Sequence, residues 1–178
     1  MDRLFAPWRM EWVERDGSDD IEGCPFCVLP ERADAAEAYV VAESERAFVL
    51  LNNYPYNPGH AMVIPREHTG AYTDLDDETL FDHARLKRRT MAAIAEAFDP
   101  DGINAGLNLG SASGGSIDDH LHTHVVPRWA GDTNFMPVCS DAKVIVQAVA
   151  ESYEQLRAAF AGGEGTRTLE SGSVFVEF

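Results

Sequence analysis

The sequence predicts an α+β fold, with one antiparallel sheet packed by two main helices. Three observations point there. Short β-rich runs recur at 39–42, 47–51, 60–65 and 103–109. Two longer amphipathic stretches follow residues 76 and 143. Strands and helices do not alternate regularly, which argues against a doubly wound parallel sheet.

Residues 1–37 read as irregular, anchored by Phe5, Trp8 and Trp12. The runs at 39–42 and 47–51 are the first two strands. Asn, Pro and Gly between 52 and 59 mark a loop. The run at 60–65 is a third strand, ended by a proline. Asp76, Asp77 and Glu78 then open a helix, with a capping acid and negative charge in its first turn. Leu80, Ala84, Met91, Ile94 and Phe98 give it an apolar stripe, and Asp99-Pro100-Asp101-Gly102 stops it. A strand at 103–109 precedes a Gly/Ser turn at 111–116 and the run HLHTHVVP at 120–127. The second helix is predicted over 143–160, with Ile145, Val149, Leu156 and Phe160 inward and Gly162-Gly163 as its stop. SVFVEF at 173–178 reads as one more strand, at a sheet edge or in a dimer contact.

A chain of 178 residues suits one domain, long enough to bury a core without disulfides. The net charge of −16 excludes nucleic-acid binding through a basic surface. Only Lys87 and Lys143 are lysines. Such a surface suits a halophilic cytoplasm, where about 1 M salt shortens the Debye length to about 3 Å. A merely acidic protein is the alternative. No secretion signal and no membrane-spanning run are visible, so the expected location is cytoplasmic, with no membrane partner. Three cysteines (Cys24, Cys27, Cys139) do not make a disulfide framework.

The chemistry concentrates in His120-Leu121-His122-Thr123-His124. On a strand the three imidazoles would project to one side, with Leu121, Thr123 and Val125 on the other. A neutral imidazole is a nucleophile and a workable leaving group near pH 7, and also a metal ligand. The glycines and serines just upstream, around Asn108, Gly115 and Ser116, can bring backbone N–H groups against a phosphate. Cys24-Pro-Phe-Cys27 has the close pairing of tetrahedral zinc sites. A redox pair, or two buried thiols, are the other readings. His83 reads as solvent-facing on the first helix, Cys139 as a small buried hydrophobe and Arg128 as a surface ion pair. His60 reads as packing beside the reactive strands.

HLHTHVV resembles the His-φ-His-φ-His-φφ signature of the histidine triad (HIT) superfamily, with Thr123 at one loosely apolar position. PGHAMVIPREH (58–68) resembles the family's Pro-Gly-His strand with its later histidine. LGSASGGSIDDHLHTHVVPRW and the following Trp129-Ala130-Gly131-Asp132-Thr133-Asn134-Phe135 are similar to the diadenosine polyphosphate phosphorylase-like branch. The resemblance implies a HIT domain over 24–161, between an extension at 1–23 and a tail at 162–178. It implies a five-stranded antiparallel sheet that joins a second copy edge to edge as a homodimer.

The resemblance also implies roles. His122 attacks the α-phosphorus of a small nucleotide substrate such as a dinucleoside polyphosphate, and water or phosphate resolves the nucleotidyl-histidine. His124 and Ser116 contact the phosphate or leaving group. Asn52 meets the ribose, and Asn108, Gly115 and Trp129 line the substrate site. Cys24, Cys27, His68 and His120 hold a structural Zn2+ ion. A divalent cation can accompany the substrate. The competing reading is a nucleotide-binding or sensing module without turnover, which would not require His122 and Ser116.

Overall fold

The computed structural model describes residues 21–115, 117–132 and 147–178. Expectations for Trp8, Trp12, Ser116, Cys139 and the first residues of the second helix fall outside them.

The N-terminal part holds two single-turn helices, α1 (Pro25–Val28) and α2 (Ala35–Ala38), where the sequence suggested irregular chain. Pro25 sets the first turn of α1, a position where its missing N–H costs nothing. Asp34 caps α2 by accepting from the Ala36 amide at 2.8 Å. Strands β1 (Val40–Glu43), β2 (Ala47–Leu51) and β3 (Ala61–Pro65) follow. All fourteen of their residues are buried. Helix α3 (Asp77–Phe98) starts as the acids predict, with Asp76 accepting from the Thr79 amide at 2.7 Å. That bond holds the Asp76 carboxyl below its ordinary range. The chain then forms β4 (Gly102–Leu107), β5 (Thr123–Arg128), α4 (Val149–Ala161), β6 (Thr166–Thr168) and β7 (Val174–Val176).

The sheet has seven strands in the order β4-β5-β3-β2-β1-β7-β6. Five of them form the expected antiparallel set. The C-terminal segment adds two more, and β7 runs parallel to β1, so the sheet is mixed rather than antiparallel throughout. The reason is local. After α4 the chain turns back as a short hairpin whose second strand meets the bare edge of β1. Glu43 of β1 accepts hydrogen bonds from Ser173 and Arg66, and Ser171 accepts from the Ala35 amide at 2.9 Å.

Alternation along the strands divides the core in two. One face carries Ala47, Val49, Leu51, Ala61, Val63 and Val125 against α3 and α4. The other carries Phe48, Leu50, Met62 and Ile64 against Phe26, Ala35 and Ala38. A register shift at Val41 lets both Val41 and Ala42 reach the helical side.

The inward face of α3 differs from the expected stripe. Thr79, His83, Leu86, Thr90, Ala93 and Ile94 are buried, whereas Ala84 is exposed. His83, expected in solvent, is 2% exposed. Its Nε2 lies 3.2 Å from both the Val63 carbonyl and the Thr123 hydroxyl. Three polar residues on the buried face mislead a reading by hydrophobicity alone, because each finds a partner or a small niche there. Among the described residues no helix is long and apolar enough to cross a membrane.

Candidate active site

The register of β3 against β5 opposes Met62 to His124 and Val63 to Thr123. His124 therefore stands on the Phe26 side of the sheet, and Thr123 points to α3. The strand begins at Thr123, so His120 and His122 precede it and are held by side-chain bonds rather than by strand geometry.

His122 is oriented through Nδ1. Its Nδ1–H donates to the His120 carbonyl at 2.9 Å, which leaves Nε2 as the lone-pair nitrogen. The ring is 6% exposed and lies against Phe26, with centroids 5.1 Å apart. Phe26 sits between the two cysteines and anchors their turn in the second core.

His124 is set by His60. The Tyr56 amide can only donate, and it donates to His60 Nδ1 at 3.1 Å. The His60 proton is therefore on Nε2, which donates to His124 Nδ1 at 2.9 Å. His124 in turn carries its proton on Nε2. His124 and His122 rings meet edge to face at 5.0 Å. His60 is wholly buried and stacked on Tyr56 at 4.9 Å. The sequence placed His60 beside these strands but gave no sign of this bond, since residues 60 and 124 are joined only by sheet pairing.

The loop that brings His60 here depends on Gly59. Its φ is +75°, and a Cβ would lie 2.5 Å from the Phe98 ring. Both the backbone conformation and the space require glycine.

The proposed metal ligands converge. One ligand atom from each of Cys24, Cys27, His68 and His120 lies within 4.8 Å of every other. Cys24 Sγ is 3.3 Å and Cys27 Sγ 3.6 Å from His120 Nδ1, and Cys27 Sγ is 3.2 Å from His68 Nδ1. His120 Nε2–H donates to the Pro65 carbonyl at 2.8 Å, so the Nδ1 lone pair faces the sulfurs. His68 Nε2 faces Asp119 at 3.7 Å. Both rings thus have the outer partner expected of metal-ligating histidine. Burial keeps the His120 imidazole below its ordinary pKa, in its neutral, ligating form. Partial burial and the neighbouring Cys24 sulfur hold the Cys27 thiol up. Two adjacent sulfurs resist ionising together unless a cation lies between them. The donor set and its chemistry fit a tetrahedral metal ion. The two segments carrying the histidines meet where the Leu121 amide donates to Thr69 O at 2.8 Å, and a Cβ on Gly70 would lie 2.4 Å from Asp118 O.

Of the remaining expected site residues, Asn52 is tied directly to His60. Asn52 Oδ1 accepts from the Tyr54 amide at 2.9 Å, and the Asn52 amide donates to the His60 carbonyl at 2.9 Å. Asn108 backs onto Gly115, where a Cβ would be 3.2 Å from its own. Ser113 Oγ donates to Gly110 O at 2.7 Å and closes the Gly/Ser turn. The Trp129 amide donates to Asp132 at 3.2 Å. Arg128 makes the expected ion pair, with Asp132. Ser116 lies outside the described residues.

The family model of the HIT domain matches residues 34–131. The chain belongs to the HIT family. This HIT protein is similar to the AP-4-A phosphorylase of Mycobacterium tuberculosis, at 38% identity over 158 residues, 85% of this chain and 80% of that one. Its fold matches a hypothetical histidine triad nucleotide-binding protein from Sulfolobus tokodaii, with TM-score 0.61 and 32% identity over 76% of this chain and 88% of that one. A Zn-bound histidine triad family protein from Mycobacterium smegmatis matches with TM-score 0.61 and 32% identity, covering 77% and 92%. The HIT match contains His60, His68 and the three triad histidines, while Cys24 and Cys27 precede it.

Proposed function

We propose that this HIT protein cleaves a dinucleoside polyphosphate, such as diadenosine tetraphosphate, or a related nucleoside phosphate, through a nucleotidyl-histidine. The observation that carries this reading is the pair of opposed proton placements: His122 bonded through Nδ1, His124 protonated on Nε2. The likeness to an AP-4-A phosphorylase supports the substrate class.

In the first step His122 Nε2 attacks the α-phosphorus. A P–N bond forms, the P–O bond to the polyphosphate breaks, and the leaving polyphosphate departs as an anion. The His120 carbonyl stabilises the positive charge that grows on the His122 ring. His124 Nε2–H donates to a phosphate oxygen in the crowded transition state. In the second step water or orthophosphate displaces His122 and releases the nucleotide. Covalent catalysis thereby divides one hard displacement into two easier ones. Ser116 is the proposed donor to the leaving group, Asn52 the ribose contact, and Asn108, Gly115 and Trp129 the substrate lining.

The cysteine–histidine cluster is proposed to hold a structural Zn2+ ion, as in the Zn-bound relative. When bound, the ion ties the N-terminal turn to the sheet. His120 presents its ring to that site and its carbonyl to His122. The HIT domain is assigned to 24–161, working in the cytoplasm as a homodimer adapted to high salt, with a divalent cation accompanying the substrate.

The test is product analysis with diadenosine tetraphosphate in concentrated potassium chloride, with and without orthophosphate. ADP plus ATP only with phosphate identifies a phosphorylase. AMP plus ATP regardless of phosphate identifies a hydrolase. Nucleotide binding without turnover of any nucleoside phosphate would overturn the enzymatic reading.

A further inference from the structure

We propose that Asp132 and Asn57 form a positioning lock that sets the proton on His124, through the turn that carries His60. The proposal rests on the reading of His122 and His124 as the reacting pair.

Asp132 does more than pair with Arg128. Its Oδ2 accepts from Arg128 Nε at 2.5 Å, Asn57 Nδ2 at 2.9 Å and the Trp129 amide at 3.2 Å. Its Oδ1 accepts from Arg128 Nη2 at 2.9 Å. A surface ion pair needs only the arginine. Here four donors hold a carboxylate whose side chain is 9% exposed, and one of them lies 75 residues earlier in the chain.

Asn57 is the link. It is 7% exposed, and its amide group also donates to the Pro127 carbonyl at 2.8 Å. The two acceptors call for an NH2 group, since no carboxylate or hydroxyl supplies two such protons. Asn57 thus fastens the turn before β3 to the end of β5.

The same turn sets His60 from both sides. The Asn57 carbonyl accepts from the His60 amide at 3.1 Å, and the Tyr56 amide donates to His60 Nδ1 at 3.1 Å. The Tyr56 amide is a fixed donor, because a backbone N–H cannot accept. If the turn moves away, His60 can take its proton on Nδ1. Its Nε2 then accepts from His124 Nδ1–H, and His124 Nε2 becomes an acceptor. The nitrogen meant to donate to phosphate would then repel it. A small shift in a turn is in this way converted into a reversed proton at the reacting centre.

The test uses the full chain labelled with 15N in its imidazoles. Two variants are compared with the unaltered protein: Asn57→Asp, which keeps the shape but removes both donors, and the milder Asp132→Asn. Proton-detected nitrogen spectra report the tautomer at His60 and His124, and kinetics report kcat and KM. The expected result is Nε2–H on both rings in the unaltered protein and mixed tautomers at His124 in the variants. kcat should fall about tenfold or more, with KM moving less than about threefold. Unchanged tautomers in the variants overturn the proposal whatever happens to the rate. Shifted tautomers with unaltered kcat overturn it as well. Should Asn57→Asp not fold, Asp132→Asn decides by the same spectra. The spectra need no turnover, so a protein that cleaves no nucleotide defeats the functional reading while the tautomer result still decides whether the lock exists.

Discussion

His120 and His122 stand two residues apart, yet the backbone holds them by opposite nitrogens. His120 gives Nε2–H to Pro65 and turns Nδ1 towards two sulfurs. His122 gives Nδ1–H to the His120 carbonyl and carries its lone pair on Nε2, the nitrogen proposed to attack. The two side chains are identical, and both are buried. What separates a ligand from a nucleophile here is which ring nitrogen a carbonyl has claimed. The cluster also draws on three distant segments, whereas His122 is held from two residues away. The first is a long-range staple, and the second a local bond that the staple supports.

The most severe way to break the comparison is to remove the nucleophile. His122→Ala should lose on the order of 10⁴-fold or more in turnover while still binding nucleotide, the pattern expected when one member of a covalent apparatus is deleted. Single-turnover assays with labelled nucleotide, alongside equilibrium binding, check both halves.

Breaking the staple should act through stability first. Cys27→Ser should abolish stoichiometric zinc retention, read by elemental analysis. If the site contributes about 3 kcal/mol, the thermal midpoint should fall by roughly 6–12 °C for a chain of this size. Turnover should fall with it, because His120 joins the cluster to His122. A variant that loses zinc yet keeps both midpoint and rate would separate the two centres.

A gentler change leaves both centres standing. His60→Gln removes the imidazole that orients His124. The expected loss in kcat is about tenfold to a hundredfold with metal content unchanged.

The smallest effect sharpens the comparison with a third buried imidazole. His83 projects from α3 onto the opposite face of the sheet, where its Nε2 meets Val63 O and Thr123 Oγ1. Burial holds its pKa below the ordinary value; the Val63 hydrogen bond and Asp82 oppose this, and Lys87 adds to it. The unfolded chain titrates near about pH 6.5, so below that pH it binds more protons than the folded protein. The contribution of His83 is fully present above about pH 6.5 and is lost as pH falls towards the lower folded value. Urea midpoints at pH 7 and pH 5 in constant salt should differ less in His83→Gln. The slope difference should reach at most about 1.4 kcal/mol per pH unit.

Much of the site was legible because its residues carry their own chemistry. The alternating histidines and the Cys24/Cys27 pair stand out by type and spacing, and the α3 cap by its acids. His60 was placed beside the reactive strands, but its bond to His124 depends on the register of β3 with β5, which no local pattern encodes. His83 was misplaced because a polar side chain that finds a carbonyl and a hydroxyl can be buried as readily as leucine. Phe26 carried no assignment in the sequence and is a core anchor against His122. Strand β6 of the C-terminal hairpin escaped because Thr166–Thr168 is short and has no apolar alternation, whereas SVFVEF was read as a strand and forms β7, inside the sheet rather than at its edge. Its parallel pairing with β1 depends on where α4 delivers the chain.

That hairpin has a consequence for how copies of the molecule can add to one another. It closes the β1 end of the sheet and leaves a terminal strand of only three residues there. Among the described residues the other end is β4, six residues long and largely exposed. A sheet with two long bare edges can add copies without limit, whereas one with a single such edge can only pair. Were copies to add strand to strand through β4, the pairing would end at two, because the hairpin leaves only a three-residue strand at the other end.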